Sequence, residues 1–309
     1  MTYAMLFPGQ GSQSVGMLGA HDSPVVAQTL EEASDVLGWD LRTLVEQGPA
    51  DELNRTERTQ PALLAADIAL WRIWNTRGLP PPAAVAGHSL GEYAALVAAG
   101  SLRFDDALKL VELRGQLMQA AVPQGAGGMA AVIGLDDAQI DALCRAYPGE
   151  GPLEPANYNS PGQVVLAGAG AAVEWVLEHA KAHGARMAVR VPMSVPSHCS
   201  MMQGAAEQLY DRLQAVDVAV PTIPVLHNLD AAERGDAGTI RTALRDQLYR
   251  PVRWTQTIVE LDRRGVPLFL ECGPGKVLVG LNKRIVKGAQ SYALEQADTM
   301  EQAAQAILA

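Results

Sequence analysis

Ala83-Ala84-Val85-Ala86-Gly87-His88-Ser89-Leu90-Gly91-Glu92 is the stretch on which the fold turns. Its apolar half predicts a strand over 83–87, and the pattern that follows predicts a helix over 90–99. A serine held between two glycines at a strand-to-helix turn has the setting of a G-x-S-x-G nucleophile elbow. The glycines let the backbone take a strained turn and keep side chains away from the hydroxyl. The helix N-terminus aims N–H groups at any anion that forms beside Ser89. The plainer alternative is a glycine-rich turn with a capping serine. The strand-turn-helix context favours the elbow.

Outward from this segment, short apolar runs alternate with helical patterns, as expected of an α/β sheet covered by helices. Strands are expected over 3–7, 223–227 and 267–271, and helices over 24–37, 60–77, 104–121, 201–216, 239–249 and 255–264. Between residues 125 and 191 the grammar changes. Strands over 129–134, 154–157, 163–167 and 186–191 are interleaved with helices over 136–147 and 171–183. That order, β-α-β-β-α-β, is the ferredoxin-like arrangement. The expected organisation is therefore a large α/β core built from 1–124 and 197–309, carrying a small inserted domain over 125–196.

The chain has 309 residues, 48% hydrophobic and 19% charged, so a sizeable core is affordable and disorder is excluded. Its net charge of −10 disfavours non-specific nucleic-acid binding and attachment to anionic lipid. The N-terminal run ends at Pro8-Gly9 without a basic n-region, and no apolar stretch reaches the ~18 residues of a membrane span. Cys144, Cys199 and Cys272 are scattered and fit neither a disulfide framework nor a zinc site. A cytoplasmic protein without metal is expected.

A neutral serine needs a base, normally an imidazole. Of the six histidines, His179 and His183 read as a solvated helix face, His21 as a turn residue, and His88 as pointing away from its neighbour Ser89. The choice stays divided between His198, in a proline-stiffened loop, and His227, at a strand end. Arg114 falls on the apolar stripe of Ala107, Leu110, Val111 and Met118. It is either half of an internal ion pair or a fork for a substrate carboxylate. The loop Pro8-Gly9-Gln10-Gly11-Ser12-Gln13 follows the first strand and lacks the Lys-Ser or Lys-Thr pair of a phosphate loop. It is either a plain turn or a set of N–H groups lining an oxyanion site.

Seven motifs occur together in order: 8–13 as quoted, Thr59-Gln60-Pro61-Ala62, Gly87-His88-Ser89-Leu90-Gly91-Glu92, Arg114-Gly115, Asn159-Ser160-Pro161-Gly162-Gln163, Val195-Pro196-Ser197-His198, and 247–254, which begins Gln247-Leu248-Tyr249. Over the whole chain this set resembles the malonyl-CoA:acyl carrier protein transacylases of bacterial fatty-acid synthesis. The resemblance implies a hydrolase-like α/β core with a ferredoxin-like insert. It implies Ser89 as the acylated nucleophile, His198 as its base, and the main-chain carbonyl of Gln247 as the group orienting the imidazole. The N–H groups of Gln10 and Leu90 would form the oxyanion hole. Arg114 would pair with the malonyl carboxylate, and His88 and Asn159 would also face the substrate. One departure stands at Arg250, where the family usually has asparagine.

The implied reaction is ping-pong transfer of malonyl from malonyl-CoA to the phosphopantetheine thiol of acyl carrier protein, needing no cofactor. An acidic carrier would need a local basic patch, for which Arg186, Arg190, Lys276, Lys283, Arg284 and Lys287 are available. The alternatives are a malonyl transferase serving the carrier subunit of malonate decarboxylase, a serine hydrolase or thioesterase on the same elbow, and a non-catalytic carrier-docking scaffold.

Overall fold

The computed structural model describes residues 1–123, 125–193 and 195–309. Gln124, at the expected domain boundary, and Ser194, in the loop before His198, lie outside the described residues. A parallel sheet of five strands is ordered β7-β2-β1-β8-β9, with β1 Tyr3–Phe7, β2 Ala84–Gly87, β7 Val225–Leu226, β8 Leu268–Glu271 and β9 Gln290–Ala293. Helices cover both faces, which is why these strands read as unbroken apolar runs. Alternate β1 residues divide between two cores: Tyr3, Met5 and Phe7 enter one, Ala4 and Leu6 the other.

A second sheet is antiparallel, ordered β4-β5-β3-β6, with β3 Gly127–Ile133, β4 Leu153–Ser160, β5 Gln163–Ala169 and β6 Met187–Arg190. One face packs on the helices Asp137–Ala146 and Gly170–His179 through Val132, Leu166 and Val173. The other face brings Met129, Val165 and Ala167 against Cys199. Asp136 starts the first of these helices with a full capping box to Gln139.

The expected strands and helices are present with shifted ends. The helix expected from residue 60 begins at Thr56 and runs to Asn75, with Pro61 inside it. A proline this near the helix N-terminus forfeits few hydrogen bonds, so the helix carries it without breaking. β4 extends past its expected end because register shifts between Pro155 and Asn157, and between Tyr158 and Ser160, break its alternation. The helices Leu41–Gln47, Ala50–Leu53, Val277–Ile285 and Ala297–Leu308, and strand β9, were not expected. Among the described residues no helix is long and apolar enough to cross a membrane.

Strand order places the site. β1 and β7 flank β2, with Phe7 level with Gly87 and Leu226 level with Ala86. The loops after three neighbouring strands therefore meet at the carboxyl edge of the sheet, where parallel α/β folds hold their ligands. These are the Gln10 loop, the Ser89 turn and His227-Asn228.

Candidate active site

Ser89 takes φ 53°, a left-handed conformation that non-glycine residues adopt at a cost. The turn is possible because its neighbours lack side chains. A Cβ on Gly91 would sit 2.1 Å from the Phe7 carbonyl oxygen, and one on Gly87 1.9 Å from the Gly91 carbonyl carbon. Asn228 grips the turn from β7: its Oδ1 accepts the Ser89 N–H at 2.7 Å, and its Nδ2 donates to the Gly87 carbonyl at 2.6 Å.

His198 Nε2 lies 2.7 Å from Ser89 Oγ, and its Nδ1–H donates to the Gln247 main-chain carbonyl at 2.6 Å. The carbonyl fixes the tautomer, leaving the Nε2 lone pair facing the serine hydroxyl. Burial, reinforced by the positive charge of Arg114, lowers the His198 pKa to about 3, so the ring is neutral at physiological pH. His198 has φ 62°, so the serine and the imidazole both sit on strained backbone. His227 is also buried, but its Nδ1 faces Glu92 Oε1 at 2.6 Å, not the serine. Burial pushes the Cys199 thiol, next to His198 in the chain, up to about 12, so it stays protonated at physiological pH.

Arg114 is 1% exposed. Its Nη1 donates to Gln60 Oε1 at 2.9 Å, and its Nη2 to Gln247 Oε1 at 3.0 Å and Ser89 Oγ at 3.2 Å. All three acceptors are neutral, and no ion pair to Arg114 forms among the described residues. Its Nε also finds no partner there. Burial lowers its pKa from the ordinary arginine value. An internal ion pair, the structural alternative, is thus not what holds this guanidinium. It is a buried cation supported by amides and turned toward the serine.

Gln10, Leu90, Ser89, Arg114 and His198 line a cavity of about 380 Å³, whose other walls include Met118, Met129 and Met193. A second groove of about 640 Å³ shares Gln10, His88 and Met129 with it and runs outward past Asn159 to Leu278 and Leu281. His88 turns away from Ser89 Oγ and donates from Nε2 to Asn159 Oδ1 at 2.8 Å, so those two side chains stand together in the groove wall. His179 stacks on Trp175 and His183 meets the same ring at a tilt, and among the described residues no cluster could hold a metal ion.

Residues 4–304 match the family described as the acyl transferase domain. The malonyl CoA-acyl carrier protein transacylase of Salmonella typhimurium is 52% identical over 296 residues, covering 95% of this chain and 96% of the relative. This chain belongs to the malonyl CoA-acyl carrier protein transacylase family. The solved transacylase of Coxiella burnetii superposes with a TM-score of 0.97 at 46% identity, covering 99% of this chain and 98% of that one. A type II PKS acyl-carrier protein in complex with its malonyl-transacylase gives a TM-score of 0.97 at 50% identity, covering 99% of this chain and all of that one.

In this transacylase, Asn228, Glu92 and the side chain of Gln60 were missed as members of the site. Glu92 is wholly buried in the first turn of the helix Gly91–Ala98, where a carboxylate reads as an ordinary helix-dipole partner. Asn228 directly follows the strand expected over 223–227, but only the pairing of that strand with β2 brings it to the elbow.

Proposed function

We propose that this chain transfers malonyl from malonyl-CoA to the phosphopantetheine thiol of acyl carrier protein, supplying fatty-acid elongation, through a malonyl-serine ester. The observation that carries the reading is Arg114: a buried cation, without an ion pair among the described residues, 3.2 Å from the Oγ of an elbow serine. A substrate whose acyl group ends in a carboxylate supplies the missing charge; an acetyl group does not.

His198 Nε2 takes the Ser89 proton as Oγ attacks the thioester carbonyl carbon. The oxyanion is received by the N–H groups of Gln10 and Leu90, which border the same cavity. The tetrahedral intermediate collapses, the C–S bond breaks, and His198 returns the proton to the departing thiol of coenzyme A. The carrier's thiol then repeats these steps in reverse on the ester. Gln247 holds the imidazole through its carbonyl, so the base works as one half of a Ser-His dyad. We place the pantetheine arm in the groove bordered by His88 and Asn159. Of the basic patch, Arg190 is tied to Glu174 and Arg284 to Gln163, while Lys276, Lys283 and Lys287 are exposed beside the groove's outer helix and meet an acidic carrier.

We read the architecture as a hydrolase-like core over 1–124 and 197–309 with a ferredoxin-like insert over 125–196. The strand order β4-β5-β3-β6 and the β-α-β-β-α-β succession support the second half of that reading. The family's soluble chemistry and the thiols buried at Cys199 and Cys272 fit the cytoplasm.

The test is intact mass. Mixing with malonyl-CoA should add one malonyl group, which acyl carrier protein then removes, and Ser89→Ala should abolish the adduct. Release of free malonate without carrier would make the chain a hydrolase, and absence of any adduct would leave only a scaffold.

A further inference from the structure

Beneath the serine turn lies a carboxylate that the proposed reaction leaves unused. Glu92 is wholly buried, and three donors converge on it. His227 Nδ1 meets Oε1 at 2.6 Å, while the Asn228 N–H and the Gln247 Nε2 meet Oε2 at 3.0 and 3.1 Å. Two of these lead straight back to the reacting groups. Asn228 holds the Ser89 N–H, and Gln247 holds Arg114.

The Gln247 amide is the decisive link. Its Nε2 carries two hydrogens, one donated to the Ser89 carbonyl at 2.8 Å and the other to Glu92. Its Oε1 is thereby turned to accept from Arg114 Nη2. Turned over, the amide would set its NH2 against the guanidinium and its oxygen against a carboxylate and a carbonyl. An amide has no intrinsic preference between these orientations, so its acceptors decide which one is populated. The chain from Glu92 through Gln247 to Arg114 alternates acceptor and donor at every step.

We infer that Glu92 is a positioning residue for acyl selectivity, holding the Gln247 amide so that Arg114 stays aimed at the substrate carboxylate. This role rests on the reading that Arg114 receives that carboxylate. A purely structural Glu92 would stabilise the elbow without distinguishing malonyl from acetyl.

The test measures kcat and KM with malonyl-CoA and acetyl-CoA, with acyl carrier protein as acceptor, alongside melting curves for the full-length variants Glu92→Ala, Glu92→Gln, Gln247→Leu and Arg114→Ala. Glu92→Ala should lower the malonyl-to-acetyl ratio of kcat/KM by roughly tenfold, the size of one hydrogen bond to a charged group, mainly through KM for malonyl-CoA. Glu92→Gln should restore most of it, because its oxygen still accepts from Gln247 and Asn228 while His227 takes the other tautomer and accepts from the new NH2. Gln247→Leu removes the amide with its bonds to Arg114, the Ser89 carbonyl and Glu92, and leaves in place the main-chain carbonyl that holds His198 and the contacts of Glu92 with His227 and Asn228. It should shift the ratio in the same direction, and it keeps the test decisive if Glu92→Ala does not fold. An unchanged ratio in Gln247→Leu and in any folded Glu92→Ala, beside an Arg114→Ala that does shift it, overturns the inference alone. An unchanged ratio in Arg114→Ala removes the carboxylate reading and this inference with it.

Discussion

Arg114→Ala separates a substrate fork from a structural cation. In the folded protein the guanidinium touches Gln60, Gln247 and Ser89 and no carboxylate among the described residues. On the proposed reading, the carboxylate of bound malonyl completes a buried charge pair with Arg114, and removing one member of such a pair costs about 3 to 5 kcal/mol. At about 1.4 kcal/mol per decade, malonyl transfer should fall roughly 10²- to 10⁴-fold in kcat/KM. Acetyl transfer carries no such term, so it should hold steady or rise, and the selectivity ratio moves by nearly the whole amount. The stability change should be small. The two amide oxygens left without a donor cost about 1 to 3 kcal/mol each. Removal of a desolvated cation whose Nε is unpartnered offsets this. The assay is kcat/KM for both thioesters beside a melting curve. Parallel loss of both activities with a collapse in Tm would refute the reasoning and leave Arg114 a structural residue.

His198→Ala should retain the fold and slow Ser89 malonylation about 10²- to 10⁴-fold in stopped-flow or quenched mass measurements, whereas His227→Ala should not reproduce that loss at equal stability. Because burial lowers the His198 pKa to about 3, the base stays unprotonated as pH falls, and the malonylation rate should show no step near the ordinary imidazole value between about pH 5 and 8. Arg114→Ala removes one cause of that depression, so any acid limb should move upward in pH; a step near 6.5 in the unmodified protein would contradict the buried, neutral ring. The same depression makes His198 a source of acid lability: its unfolded form binds a proton below about 6.5 and its folded form does not, so this contribution to stability is present above that pH and lost as pH falls toward 3. Gly91→Ala should destabilise the protein or abolish its expression, since the new methyl would lie 2.1 Å from the Phe7 carbonyl oxygen, and a wild-type melting curve would show that the elbow can move.

The parallel sheet was legible because burial on both faces makes its strands uniformly apolar between turn signals, as in β1 and β2. β9 escaped for the opposite reason. As the edge strand Gln290–Ala293 it is only partly covered, and its Gln-Ser-Tyr-Ala sequence carries neither an apolar run nor alternation. The four strands and two helices between Gly127 and Arg190 were readable from the alternation of short apolar runs with helical patterns, and the structure joins the strands into one antiparallel sheet. Helix ends were less readable. The helix expected from residue 60 is entered already at Thr56, where Thr59 Oγ1 donates to the Leu53 and Arg55 carbonyls.

The site divides along the same physical line. The elbow is encoded within five consecutive residues, because the close approach of Gly87 and Gly91 admits nothing larger, and a local motif suffices. The partners of Ser89 are not encoded that way. His198, in a proline-stiffened loop, and His227, at a strand end, stood as equal candidates because neither setting fixes where the imidazole lands. Register separates them: Leu226 is level with Ala86, which sets His227 beside Gly87 and under the helix, facing Glu92, while the next residue, Asn228, reaches the Ser89 amide. A shift of one residue in β7 would exchange those positions and reverse every side chain along it. The polar network under the serine is therefore a consequence of strand pairing between segments some 140 residues apart, from Gly87 to Asn228. A motif scan sees the elbow serine, whereas the residues that hold it in its strained turn become visible only once the neighbouring strands are placed in order.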